Sequence, residues 1–235
     1  ILTILLLSLA LYATLLRLNI LSRAQVGALI LASAFGNGMG VGLPTVSALL
    51  GAGQRDIPVI YDLLAAVPFV WVIGVMLSAH FGTRVTGGRL GQELLRLPPF
   101  WAMAIALGLR FSGIAIPDPI MKTLHLLGGA AVPLLLLMVG MTLHVGRSMR
   151  WGLLMLVVGF KLFLSAGLAL GVGHLVGLSG ATLVATVLTA AAPPVAVGVA
   201  LCDRFKLDTE LFGTAMTMTT VLYVVLVPWL VTWLV

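Results

Sequence analysis

The sequence predicts an all-α integral membrane protein whose two ends are inverted copies of one pattern, each with a broken helix, and three observations carry that prediction. First, 61% of the 235 residues are hydrophobic and 9% charged, with a mean hydropathy of +1.20, far outside the range of a soluble globular domain. Second, apolar runs of about 20 residues recur along the whole length without a ten-residue alternating pattern, which selects helices over barrel strands. Third, helix-breaking residues cluster at matching places near the two ends: Gly36, Gly38, Gly40, Gly42 and Pro44 in one, Pro193 and Pro194 in the other.

The spans follow in order. Residues 1–17 form the first, closed by Arg17, Asn19, Ser22 and Arg23. The glycine-rich stretch is the second, over 26–50, and a turn through Gly51, Gly53, Gln54, Arg55 and Asp56 leads to the third, from Ile57 to Phe81 through Pro58. The longest polar segment comes next, with Arg84, Arg89, Glu93 and Arg96, and separates the chain into halves. A short span over 99–109 ends at Arg110, and IPDP turns the chain into a fifth over 120–144. The sixth covers 151–176 with Lys161 inside it, the seventh covers 180–202 and is broken at Pro193 and Pro194, and the eighth covers 209–235. The chain opens on Ile1 inside an apolar run, so it is expected to be part of a longer protein.

Charge sets the orientation. The odd-numbered loops hold Arg17, Arg23, Arg84, Arg89, Arg96, Arg147, Arg150, Arg204 and Lys206, while the even ones hold Arg55, with Arg110 and Lys122 near their edges. The odd side is therefore expected to be cytoplasmic and the C-terminus outside. The net charge of +6 speaks to this orientation and not to nucleic acid, and the single Cys202 excludes an internal disulfide framework.

The second span shows why a break matters. Each glycine costs about 1 kcal/mol relative to alanine inside a helix and a proline about 3, and the backbone groups freed at a break have no water in lipid to satisfy them. Such a break is tolerated where it is buried in protein or lines a polar cavity. One reading is a mid-membrane solute site beside Asn37, with half-helix ends supplying complementary charge. The other is a packing face with a proline kink. Spans one to three are matched by spans six to eight: an unbroken helix, an interrupted one, then a turn with Asp56 or Asp208 before the last helix. Span one crosses inward and span six outward, so the copies are inverted, which points to a secondary transporter with its site where the breaks meet.

The string AFGNGMGVGLPTVSALLG (34–51), followed by YDLL (61–64), resembles the auxin efflux carrier family, which includes PIN-type carriers and malate or malonate permease-like proteins. AAVPLLLLMVGMTL (130–143), APPVAVGVALCDRF (192–205) and MTTVLYVVLVPWL (218–230) are similar to later segments of the same family, so the resemblance covers essentially the whole chain. It implies ten helices in a five-plus-five inverted repeat, related to the bile acid sodium symporter and NhaA-like architecture, with eight spans present and the first two missing. It further implies a transport domain from 1–81 and 151–235, a cytoplasmic linker over 82–97, scaffold helices over 98–144, and a homodimer through the scaffold. Where the family often has Asn after its second crossover proline, Val197 stands here, so the second half lacks that amide.

The candidate residues follow. Asn37, Gly40, Gly42, Pro44, Pro193, Pro194 and Thr219 are expected to bind substrate, and Asp62 and Lys161 to relay charge or couple ions. An ionisable group within a span is a functional hypothesis by default. Asp62 lies roughly 8 to 9 Å below the outer helix end and Lys161 about 15 Å from the inner one, so a long lysine side chain is able to bridge them. The bland alternatives are a vestibule carboxylate for Asp62, a structural cation held by a carboxylate or freed carbonyls for Lys161, and helix back-bonding for Thr219. His80, His125, His144 and His174 show no ligand spacing, so no metal site is expected. The Tyr61–Asp62 pair resembles half of an intramembrane aspartyl protease, but the second motif, GxGD, is absent. Nor is there a ring of repeated filter residues, as a channel needs.

The reading is a plasma-membrane carrier, not an enzyme, that moves small organic anions such as mono- or dicarboxylates or auxin-like acids by alternating access. Its expected partners are substrate and lipid, with no cofactor beyond coupling to H+ or Na+. An ion-coupled symporter or exchanger of another small solute is the alternative.

Overall fold

The computed structural model describes residues 1–83, 98–114, 116–142 and 150–234, and these are almost entirely helical. The central positions Arg84, Arg89, Glu93 and Arg96, with His144 and Arg147, lie outside the described residues. In chain order the helices are α1 (Leu2–Arg17), α2 (Arg23–Ala34), α3 (Gly38–Leu50), α4 (Ala52–Phe81), α5 (Pro98–Ser112), α6 (Asp118–Thr142), α7 (Trp151–Leu175), α8 (Gly180–Ala190), α9 (Val197–Arg204) and α10 (Thr209–Leu234). Among the described residues, four stretches are long and apolar enough to cross a membrane: Ala52–Phe81, Asp118–Met138, Trp151–Leu175 and Thr209–Thr232. The protein is a multi-pass, all-helical membrane protein.

Local sequence explains where the helices start. Ser22 and Gln25 form a reciprocal capping box at the head of α2, with Ser22 Oγ accepting from Gln25 N at 3.3 Å and Gln25 Oε1 from Ser22 N at 3.0 Å. Asp208 does the same work for α10, accepting the N–H of Leu211 at 2.9 Å. Every residue of α2 from Val26 to Ala34 is buried, which is why this helix is apolar all round and not amphipathic.

Both expected helix breaks are present, and they meet. α2 ends at Ala34 and α3 begins at Gly38, while α8 ends at Ala190 and α9 begins at Val197. Between them the backbone is extended, and Gly36 pairs with Pro194 in an isolated antiparallel bridge. Asn37 N donates to Pro193 O at 2.8 Å and Val195 N to Phe35 O at 3.1 Å. Each break thus satisfies polar groups of the other, the arrangement that non-helical backbone requires at membrane depth.

The first break is not where the prolines and glycines placed it. Pro44 lies inside α3, and the interruption is at Phe35–Asn37, seven residues earlier. The first turn of α3 is wide: Val41 N and Gly42 N share Asn37 O, each at 3.1 Å, and Leu43 N reaches back to Gly38 O. This i→i−5 winding draws the preceding carbonyls away from the proline ring, so the ring fits without ending the helix.

Antiparallel crossing exchanges packing partners between the two broken helices. One core joins α1, α2 and the end of α4 to α9 and the start of α10, through residues such as Tyr12, Leu29, Phe35, Phe205 and Phe212. A second joins α3 to α8, the middle of α7 and the end of α10, through Val46, Leu162, Leu188 and Tyr223. Each half-helix therefore packs beside the opposite half of the other broken helix, and the crossing lies between the two cores.

Candidate functional site

Three polar side chains converge on the crossing, and each lies in or immediately before a wide helical turn. Asn37 precedes the turn Gly38–Gly42, Asp62 opens the turn Asp62–Ala66 of α4, and Lys161 lies in the turn Gly159–Leu164 of α7. Such i→i−5 turns recur at functional sites because they re-aim side chains out of the regular helical progression. All three residues are buried, at 6%, 5% and 1% exposure.

Each of them rests on a glycine of the AFGNGMG stretch. A Cβ on Gly36 would lie 2.9 Å from Lys161 Nζ and 3.2 Å from Ala192 O; one on Gly38 would lie 2.6 Å from Asp62 Oδ1. On Gly40 it would meet Asn37 Oδ1 and Nδ2 in a steric clash. The alternating glycines are thus explained by close approach of polar side chains to backbone. Gly42 differs, meeting Thr189 only at ordinary contact distance, 3.5 Å. Gly40→Ala is expected to destroy the Asn37 cap and lower stability by about 1 kcal/mol or more. Gly159→Ala, where an added methyl meets nothing, is the control, and thermal melting of the two purified variants checks the contrast.

Charge is matched to helix ends. Asp62 sits at the N-terminus of α3, accepting the N–H of Gly38 at 3.0 Å and receiving that of Met39. Asn37 Oδ1 caps the same end by accepting Gly40 N at 2.8 Å. The exposed donors of this half-helix are therefore occupied by protein groups, which offsets the positive dipole end. No side chain caps α9, whose first turn closes instead through Gly198 N to Val195 O at 3.0 Å and Val199 N to Ala196 O at 3.1 Å.

Lys161 goes to the opposite kind of end. Its Nζ lies against Gly36, two residues past α2, on the side that also presents Ala192 O, two residues past α8. The Asp62–Lys161 pair that the spans allow is not formed, because the two side chains face opposite ends of the half-helices. Lys161 Nζ and Asn37 Nδ2 make no hydrogen bond to the described residues.

Of the other expected residues, Pro193 and Pro194 form the crossing strand itself. Thr219 is fully buried, and its hydroxyl donates to Ala215 O at 2.6 Å and Met216 O at 3.0 Å of its own helix. The Tyr223 hydroxyl donates to Leu188 O at 2.9 Å across the second core. It ties α10 to the last turn of α8. A cavity of about 250 Å³ between α1, α4, α7 and α8 is lined by Ile1, Tyr61, Ser165, Gly173, Thr186 and Ala190, among others.

The sequence profile of a family described as membrane transport protein matches residues 82–231. An uncharacterized transporter of Methanothermobacter thermautotrophicus is 30% identical over 211 residues, covering 88% of this chain and 68% of that protein. A second uncharacterized transporter, from Methanocaldococcus jannaschii, is 23% identical over 201 residues, covering 83% of this chain and 64% of its own length. The chain thus spans about two thirds of the length of these curated relatives.

Proposed function

Because the chain belongs to the membrane transport protein family, we propose that it is the crossed-helix part of a secondary carrier for small organic anions, with the substrate bound at the crossing. The single observation that carries this reading is the charge balance there. Asp62 is engaged by the N-terminus of α3, whereas among the described residues the ammonium of Lys161 has no carboxylate partner and the N-terminus of α9 has no side-chain cap. An anion is the ligand that such a site favours. Asn37 Nδ2 adds a donor suited to a carboxylate.

In this reading residues 1–81 and 151–235 move as one body against the scaffold helices of 98–144, the two halves are inverted repeats, and the linker 82–97 is cytoplasmic. The antiparallel bridge between the breaks supports the inverted relation. The test is uptake into proteoliposomes of the full-length protein, using a panel of radiolabelled mono- and dicarboxylates with amines and neutral sugars as controls. Saturable uptake confined to carboxylates is the expected result. Uptake confined to amines or sugars, or a current that rises linearly without saturation, would defeat it.

A further inference from the structure

We infer that Tyr223 is a positioning residue for the crossing: its hydroxyl captures the backbone carbonyl of Leu188, ends α8 there, and so sets where the extended strand through Pro193 and Pro194 begins. The consequence for transport rests on the carrier reading above; the consequence for the backbone does not.

The last carbonyls of a helix have no partner within it. At the end of α8, Val187 O takes the N–H of Ala191 at 2.9 Å and Thr189 O takes that of Ala192 at 3.2 Å. The backbone thus passes over Leu188 O, and the Tyr223 hydroxyl occupies it at 2.9 Å. One more regular turn would direct Ala192 N to Leu188 O. With that carbonyl taken, Ala192 N makes the tighter i→i−3 bond with which helices end. The bridge to the other broken helix follows at once, through Asn37 N to Pro193 O and Val195 N to Phe35 O.

The same hydroxyl lies beside that of Thr45 in α3, whose own proton goes to Val41 O at 2.7 Å. Tyr223 is 1% exposed, so α10 places one polar atom between the end of α8 and the body of α3. These two half-helices approach closely at Gly42, where an added Cβ would lie 3.5 Å from the Cα of Thr189. Tyr12 gives the contrast. It is equally buried, but its hydroxyl pairs with the side chain of Ser33 at 3.0 Å and holds no backbone carbonyl.

The test compares Tyr223→Phe with Tyr12→Phe, each of which loses one buried hydroxyl. Hydrogen exchange is followed by mass spectrometry on the purified, cargo-free full-length protein. In Tyr223→Phe the peptides covering 35–43 and 191–199, which contain the bridge amides, should exchange at least tenfold faster, with a peptide covering 24–32 unchanged. Uptake of the carboxylate that wild type carries should show a KM raised about tenfold and a maximal rate within twofold. Incorporation of 4-aminophenylalanine at position 223, which restores a donor to Leu188 O, should recover both. Tyr12→Phe should melt lower than wild type with the bridge peptides and KM unchanged.

Bridge amides that exchange at the wild-type rate in Tyr223→Phe would overturn the inference, as would equal acceleration in every peptide, the same response from Tyr12→Phe, a wild-type KM, or no recovery with the amino analogue. Should Tyr223→Phe not be recovered, 4-fluorophenylalanine at 223, which fills the place of the hydroxyl and cannot donate, makes the same comparison. Failure of both to fold makes Tyr223 a folding residue and overturns the inference too. A wild type that carries no carboxylate defeats the cargo reading alone, because the exchange measurements contain no cargo.

Discussion

Asp62→Ala is expected to lower the melting temperature by on the order of 10 °C and to abolish uptake. The carboxylate accepts the N–H groups of Gly38 and Met39 in a site where it is 5% exposed. Hydrogen bonds to a charged group contribute about 1.5–3 kcal/mol each, and a buried donor left without a partner costs about 1–3 kcal/mol. Removing one carboxylate therefore costs about 3–5 kcal/mol, and in a chain of this size each kcal/mol moves the midpoint by roughly 2–4 °C. Asp62→Asn keeps an acceptor oxygen and loses only the charge, so it should fall about midway. The contrast decides the role. If the alanine variant melts within 2 °C of wild type, Asp62 does not hold the head of α3; if the asparagine variant is as damaged as alanine, the charge matters more than the hydrogen bonds.

The gross architecture was legible because lipid enforces it. A break in an apolar helix must be satisfied by something, and Pro193–Pro194 together with the glycine run announced two breaks that had to find each other. The exact place of the first break was not legible. Pro44 is the stronger breaker on any propensity scale, yet it is accommodated by the wide first turn of α3, and the chain opens instead at Phe35–Asn37. A winding of five residues per hydrogen bond leaves no mark in composition.

The site residues were legible as residue types but not as partners. Asp62 and Lys161 lie at similar depth along their spans, which suggested a pair, but depth along an axis says nothing about the direction a side chain takes around it. Helix ends decided that direction: the carboxylate went to an N-terminus and the ammonium to two C-termini. The glycines were read as weakening the helix, and their spacing contained more than that. Gly36, Gly38 and Gly40 each admit one polar side chain, a relation that becomes readable only once the three-dimensional neighbours are known. Thr219 follows the second of its two readings, since a hydroxyl among threonines on an apolar helix more often back-bonds its own turn, as it does here.

Asn37→Asp is expected to cut uptake by about 100-fold or more while leaving thermal stability close to wild type, a separation that Asn37→Ala does not give. The amide has two ends with different tasks. Its Oδ1 caps α3 by accepting Gly40 N at 2.8 Å, and loss of such a cap costs about 1 kcal/mol. Alanine therefore lowers stability and uptake together, which leaves the role of Nδ2 undecided. Aspartate is as good a cap as asparagine, so the head of α3 survives the change. What it removes is the Nδ2 donor, which makes no hydrogen bond to the described residues, and it sets a carboxylate in its place. Like charges brought together at a binding site cost several kcal/mol, and each 1.4 kcal/mol is tenfold in affinity, which is the basis for the figure of about 100-fold. Asn37→Ser, a competent cap with a short hydroxyl, should melt like the aspartate variant and keep part of the uptake. Melting curves and the concentration dependence of carboxylate uptake are measured on the same purified proteins. Wild-type uptake by the aspartate variant would remove Asn37 from the substrate site and leave it as the cap of α3 alone.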